Sequence, residues 1–488
     1  MKKHFLLPMT ILAFLIAQPA SATFAQNAPT QSEVKTEPRG IEGGWEGVLD
    51  VGAAKLRVVL KIKKEKDGTL AATMDSPDQG AMDLPVSSVT LEKDALRVEM
   101  KMIGGVYEGT LNKERAELSG TWTQGGQSFP LNLKRVEKAP EPVVRPQEPK
   151  KPYPYDEEEV TYENKTGGVK LAGTLTLPRA KGLFPAVLLI TGSGPQDRNE
   201  ALLGHKPFLV LADHLTRKGI AVLRVDDRGV GGSTGSVSTS TSEDFAGDVL
   251  AGVEFLKTRK EINPKQIGLI GHSEGGLVAP MAAAKSVDIA FIVMMAGPGL
   301  IGEEILYLQG ALIAKANGAP DEAVAKSRAN QQAIFTVVKE EKDNASAEKR
   351  IRESVARMTA ELTEEQKKAA GGDAGIEAQL KAVLTPWFRY FLTYDPKPAL
   401  MKVKCPVLAI NGEKDLQVPV DENLKAIEET LAAAKHKDYK VVKLPGLNHL
   451  FQSCQTGSPN EYQKIQETMS PAALDLMSDW ILKRTTKQ

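Results

Sequence analysis

The sequence predicts an α/β protein: a mostly parallel sheet with helices on both faces, preceded by a small all-β domain, barrel or sandwich. Three observations predict it. Continuous apolar runs alternate with helical patterns over the C-terminal two-thirds. An earlier stretch alternates apolar and polar residues with period two. A proline-rich segment separates the two regions. Length and composition agree. The chain has 488 residues, 41% hydrophobic and 25% charged, and at roughly 100–200 residues per domain it has room for two to four domains. Its formal net charge is zero, so nothing pulls it toward nucleic acid or an anionic membrane surface. With two cysteines and no HExxH, no metal site is expected, and no cofactor.

The N-terminus reads as an export signal over residues 1–22. MKKHFLLPMTILAFLIAQPASATFAQ has basic Lys2 and Lys3, an apolar run from Phe5 to Ala17, and small residues at Ala20-Ser21-Ala22. The apolar run is too short for a comfortable membrane span, and no second run of spanning length follows. The expectation is an exported protein, periplasmic or extracellular, starting near Thr23. Residues 23–43 read as a flexible leader. Cys405 and Cys454 fall at opposite ends of the same sheet by sequence. A six-residue strand spans about 20 Å, and a disulfide needs Cα atoms within about 7 Å, so two separate thiols are expected.

Residues 44–137 carry the period-two pattern. LRVVLKIK places Leu56, Val58, Leu60 and Ile62 on one face, and LRVEMKM places Leu96, Val98, Met100 and Met102 on another. Asp67-Gly68 marks a turn. About eight short strands are expected, forming an antiparallel barrel or sandwich. GGWEG and the GTW at Trp122 resemble calycin-type barrels. Such a domain serves equally well as a ligand-binding module or a spacer. The following stretch, 138–159, holds Pro140, Pro142, Pro146, Pro149, Pro152 and Pro154; it excludes a helix and reads as a linker.

From residue 160 to 488, EVTYEN and VKLAGTLTL form a leading antiparallel pair. The strands AVLLIT, IAVLRVD, QIGLIG, IAFIVMMAG, PVLAING and YKVVKL then alternate with helices such as PFLVLADHLTRKG and DFAGDVLAGVEFLKTRK. About residues 298–404 break that rhythm. They are rich in Ala, Glu, Lys and Gln with apolar spacing near 3.6, which predicts a helical insertion rather than a structureless loop. Its Trp387-Phe388-Arg389-Tyr390-Phe391 cluster either lines a pocket or packs the insertion onto the core.

GHSEGG, Gly271–Gly276, follows the apolar run IGLI and precedes a helical pattern. Gly-x-Ser-x-Gly between strand and helix is the nucleophile elbow of α/β hydrolases. The turn lifts Ser273 Oγ clear of the sheet, and the flanking glycines permit close backbone approach. With DDRGVGGS at Asp226–Ser233, NGEKDLQVP and the late Asn448-His449, the chain resembles the α/β-hydrolase superfamily over about residues 160–485. TGSGPQDRN together with GHSEGG resembles a bacterial esterase branch close to serine aminopeptidase-like hydrolases. The resemblance implies that Asp227 and Arg228 brace nearby loops and that the helical insertion caps an acyl pocket.

In that fold the nucleophile is followed along the chain by an acid and then a histidine. His449 follows the last strand and is the candidate base. His436 falls at the other end of that strand, and His272, beside the serine in sequence, should point away from it. His205 and His214 belong to an earlier loop and helix. Asp415, a few residues past PVLAING, is the candidate acid. Glu413 lies closer to the turn, Asp421 reads as first-turn acid of the next helix, and Glu303 and Glu304 follow another strand. The oxyanion hole needs two main-chain N–H donors. Glu274, just after the nucleophile, is one; Ser193 in TGSGPQDRN is the other, with Gly194 as fallback.

The expected activity is a serine hydrolase, a carboxylesterase for short- to medium-chain acyl esters, with a small-molecule ester as its partner. An aminopeptidase or amidase with the same triad would need a group to hold a free amine, which acidic residues of the insertion could supply. A ligand-binding protein with a relic hydrolase fold would fail to label with a reactive-serine probe.

Overall fold

Alternation in the first region and continuous apolar runs in the second produce two different sheets. The computed structural model describes residues 40–50, 55–65, 67–77, 81–124, 127–137, 145–360, 363 and 372–485. The expected export signal, most of the leader and residues 138–144 of the linker lie outside the described residues. The chain divides into two compact units, one carrying the N-terminal strands and the other Arg145–Glu361 and Glu377–Gln488.

The first unit is one nine-stranded antiparallel sheet. Its strands are β1 (Gly43–Asp50), β2 (Lys55–Lys64), β3 (Leu70–Ser76), β4 (Ala81–Pro85), β5 (Ser88–Glu92), β6 (Ala95–Met100), β7 (Gly105–Leu111), β8 (Glu117–Gln124) and β9 (Gln127–Val136). Their order, β4-β3-β2-β1-β9-β8-β7-β6-β5, is a run of hairpins that curls because the first strand pairs with the last. Among the described residues the ladder breaks between β4 and β5, which makes a half-barrel. Among the described residues the count is nine, against about eight expected. The alternating residues face inward: Val58, Leu60, Ile62, Leu96, Val98 and Met100 are all buried. Met102 is exposed, because β6 ends at Met100 and residues 101–104 form the turn. Trp45 is fully buried; its indole N–H donates to Ile41 O at 2.9 Å, and Arg135 covers the ring at 4.3 Å.

The second unit is built on β10 (Tyr155–Asn164), β11 (Val169–Pro178), β12 (Phe184–Ile190), β13 (Ala221–Val225), β14 (Ile262–His272), β15 (Phe291–Met295), β16 (Val407–Gly412) and β17 (Tyr439–Leu444). Their order is β10-β11-β13-β12-β14-β15-β16-β17. β10–β11 and β11–β13 are antiparallel; the six strands from β13 to β17 are parallel. β10 starts at Tyr155, inside the expected linker. The acidic run Asp156–Glu159 hides its alternation, since an edge strand tolerates charge, and Asp156, Glu158 and Glu159 pair with Arg179, Arg259 and Arg198. Further upstream, the Arg145 guanidinium donates to the carbonyls of Leu203 and Gln463 at 3.1 and 2.8 Å.

Side-chain alternation explains the helical layers. Leu188 and Ile190 of β12 face α2 (Ser242–Lys257), α3 (Glu274–Ala283) and α9 (Val420–Ala433). Val187 and Leu189 face α1 (Pro207–Arg217) and α10 (Pro471–Thr485). Strands buried on both faces read as unbroken apolar runs. Between β15 and β16 the chain forms α4 (Gly302–Ala316), α5 (Asp321–Glu340), α6 (Asn344–Thr359), α7 (Gly372–Val383) and α8 (Pro386–Thr393). The rings of Tyr307 and Phe335 stack at 5.3 Å, and Phe388 meets Phe335 at 5.8 Å. Much of the aromatic cluster therefore packs the helices together. Both cysteines are free thiols, and burial pushes Cys405 up to about 12.

Candidate active site

The loops that carry the candidate residues leave the carboxyl ends of β12, β14, β16 and β17, where open α/β sheets build their sites. Ser273 sits between β14 and α3 with φ 53 and ψ −118. Holding a non-glycine residue there costs of order 1–3 kcal/mol. The flanking glycines explain how the turn closes. A Cβ on Gly271 would lie 1.9 Å from Gly275 O, and one on Gly275 would lie 2.1 Å from Ile190 O. The Ser273 N–H donates to Met295 O at 2.8 Å, tying the elbow to the neighbouring strand.

Asp415 and His449 meet across two loops. His449 Nδ1 lies 2.8 Å from Asp415 Oδ2, and both side chains are buried. Asp415 Oδ1 accepts main-chain N–H bonds from Gln417 at 2.8 Å and Val418 at 3.0 Å. The carboxylate is thus fully engaged as an acceptor. Nδ1 therefore carries a proton, and in the neutral imidazole Nε2 is the lone-pair acceptor.

The other acids and histidines are engaged elsewhere. Glu413 accepts from Gly446 N–H at 2.9 Å, and Asp421 pairs with Lys443 at 2.8 Å on the surface. Glu303 is held by Tyr307 and Lys339, and Glu304 is exposed. His436 bonds Cys405 O, and His214 bonds Ser478 Oγ. His205 is buried between Thr468 and Tyr462, and burial lowers its pKa to about 4.

The 191–200 loop lies against the elbow. A Cβ built on Gly192 would sit 3.3 Å from Ser273 Cβ. Asp227 braces this loop, accepting from Thr191 Oγ1 at 2.7 Å and Gln196 N–H at 2.9 Å. Burial drives the Asp227 carboxyl well above its usual pKa. Asp226 holds Arg198 by main chain and side chain, while Arg228 braces Asp248 and Ser240 instead. Glu274 opens α3, so its N–H belongs to the first turn, which has no intrahelical acceptor. Among the described residues the main-chain N–H groups of Ser193, Gly194 and Glu274 donate to no protein acceptor.

The Glu274 side chain was not singled out by the sequence. Its buried carboxyl accepts from Ser242 Oγ at 2.6 Å and from the Trp387 indole N–H at 2.8 Å, and the nearby Ser193 side chain favours its charged form. Burial raises its pKa. One carboxyl thus ties the elbow to α2 and α8 and lies close to the 191–200 loop. The acidic residue inside GHSEGG was visible, but its partners are spread over residues 193–387 and no local pattern names them. A surface cleft of about 530 Å³ lies away from this site, against α1 and α10 at Asp213, His214, Arg217 and Leu474. Among the described residues, no helix is long and apolar enough to cross a membrane, and no cluster of His, Cys, Asp and Glu could hold a metal.

The chain is similar to esterase EstD of Thermotoga maritima, 25% identical over 386 residues, covering 78% of this chain and 80% of that protein. Among solved structures, it is similar to the Pyrococcus furiosus esterase PF2001, with 18% identity, a TM-score of 0.42, and coverage of 70% of this chain and 97% of that one. It is also similar to Est1E from Butyrivibrio proteoclasticus in its ferulic acid complex, with 19% identity, a TM-score of 0.39, and coverage of 67% and 98%. The profile of the X-Pro dipeptidyl-peptidase (S15) family matches residues 167–443. That span is more than half of the chain, so the protein belongs to the X-Pro dipeptidyl-peptidase (S15) family, a branch of the α/β-hydrolase superfamily.

Proposed function

We propose that the protein is an exported serine carboxylesterase acting on short- to medium-chain acyl esters through Ser273, His449 and Asp415. The observation that carries the reading is the buried 2.8 Å contact between His449 Nδ1 and Asp415 Oδ2, formed at the end of the sheet where the strained Ser273 turn emerges. In this reading Ser273 Oγ attacks the acyl carbonyl while His449 Nε2 takes its proton. Asp415 keeps the imidazole in that tautomer and stabilises the imidazolium. The main-chain N–H groups of Ser193 and Glu274 receive the charge that develops on the carbonyl oxygen. His449 then protonates the leaving alkoxide. A water molecule, deprotonated by His449, releases the acid and restores Ser273. The similarity to a protein named as an esterase supports the ester.

A second reading is peptide or amide cleavage, which the name of the family favours. It requires an anchor for a free amine. Glu303 is already paired with Lys339, and Glu274 with Ser242 and Trp387, which favours the ester. Export rests on the N-terminal sequence alone. The test is hydrolysis of p-nitrophenyl esters of increasing acyl length, by the chain beginning at Thr23 and by its Ser273→Ala variant, with X-Pro and aminoacyl p-nitroanilides in parallel. Short-chain ester turnover that disappears in the variant is expected. Anilide cleavage without ester turnover would replace the reading with the peptidase.

A further inference from the structure

One residue before the nucleophile, the His272 ring is buried between two acceptors. Its Nδ1 lies 2.9 Å from Glu200 Oε1, and its Nε2 lies 3.0 Å from the main-chain oxygen of His449. A carbonyl oxygen can only accept, so Nε2 carries a proton. Glu200 Oε1 also accepts the Gly192 N–H at 2.7 Å. An oxygen that already receives a main-chain N–H faces Nδ1 best as a carboxylate, so Nδ1 carries a proton too. The ring is then an imidazolium with Glu200 as its counter-ion. Burial opposes the charge on the ring, but the charge of Glu200 and its hydrogen bond outweigh burial, and the pKa of His272 rises.

Neither group has a part in the proton transfers proposed above. What they touch is the frame around those transfers. Glu200 holds Gly192, the residue before Ser193, and a Cβ on Gly192 would lie 3.3 Å from Ser273 Cβ. His272 holds the main chain of His449, and the two rings lie 4.8 Å apart. Glu200 adopts φ 52, and its Oε2 is buried without a hydrogen-bond partner. A non-glycine residue in the left-handed region persists only where its surroundings over-determine it. Here the determinants are the Glu200 N–H bond to Asp197 O at 2.9 Å, the Gly192 N–H and the His272 ring.

We propose that Glu200 and His272 form a buried ion pair that positions both the Ser193 oxyanion donor and the His449 base relative to Ser273. The pair is a single clamp joining the loop after β12, the end of β14 and the loop after β17. Removing it leaves the triad chemically intact but lets two of its supports relax. A displacement of about 1 Å can cost about 100-fold in rate. The ground state, bound mainly by acyl-pocket contacts, should feel much less. This inference rests on the triad reading, and its test separates the two.

The test uses the full chain and its Glu200→Gln variant, which keeps the shape and removes the charge. Labelling of Ser273 by a fluorophosphonate and turnover of p-nitrophenyl butyrate are both followed. The expected result is a fall of about 10- to 100-fold in kcat and in labelling rate, with KM changed by less than about threefold. His272→Gln should show a similar loss, and the double variant should be no worse than the weaker single one, because the two residues act as a unit. Wild-type kinetics retained in folded Glu200→Gln, or losses that add in the double variant, would overturn the clamp. A wild-type protein that fails to label overturns the triad reading and the clamp with it. If the variants do not fold, ¹⁵N-histidine NMR of the wild type decides. Two protonated nitrogens on His272 at neutral pH support the ion pair, and one overturns it.

Discussion

At the residue scale the account rests on a serine, an imidazole and a carboxylate. The candidates were legible because each sits in a short local pattern: a Gly-x-Ser-x-Gly after an apolar strand, an acid just past a strand, a histidine after the last strand. Their supports were not legible. Glu200, Glu274 and Trp387 act through partners distant in sequence, and the sign of their roles depends on burial. Ser273→Ala should reduce ester turnover by about six orders of magnitude. Asp415→Asn should keep the fold and lower kcat by about 10⁴, because the amide can donate to Nδ1 and so favours the wrong tautomer. Steady-state kinetics on the purified variants check both, and an Asp415→Asn variant with near-normal kcat would remove Asp415 from the mechanism.

At the element scale the parallel strands read clearly from the sequence because burial on both faces makes them continuously apolar. β10 read less clearly, since its acidic residues pair across an edge, and Met102 was placed inside because period two continues past the end of β6 into a turn. Two consequences follow from packing. Leu188 is buried at the centre of β12, so Leu188→Ala should destabilise the second unit by about 2–5 kcal/mol, measured by denaturant unfolding. At α8, Trp387→Phe deletes the indole N–H that reaches Glu274 and keeps most of the ring area. The expected loss is about 1–3 kcal/mol. An unchanged unfolding midpoint would show that this bond does not secure the insertion.

At the scale of the whole molecule, every candidate site residue lies in the second unit. A chain of residues 145–488 is therefore expected to unfold cooperatively and to keep the ester activity of the full chain. Loss of activity in that folded fragment would give the half-barrel a part in the chemistry. Acid stability should depend on His205. Its folded pKa is lowered to about 4 by burial, whereas the unfolded side chain titrates near 6.5. Below pH ~6.5 the unfolded state takes up a proton that the folded state refuses. Stability is fully present above that pH and is lost as pH falls toward about 4, by an amount of order 3 kcal/mol. Thermal melts across that window should show the loss, and His205→Gln should show less of it. The half-barrel was legible as a small antiparallel barrel or sandwich, whereas the β1–β9 pair that curls it was not, because that pairing joins residues about ninety positions apart and leaves no local pattern.

The central claim, that Ser273 carries the acyl group, is tested most directly by acid-quenched mass spectrometry. The full-length protein would be mixed with p-nitrophenyl butyrate, quenched within the first turnover and digested. A butyryl group on Ser273 in the wild type, trapped for longer in a variant slow to deacylate and missing from Ser273→Ala, is the expected result. Ester turnover with no acyl group on Ser273, or one carried by another residue, would contradict the account.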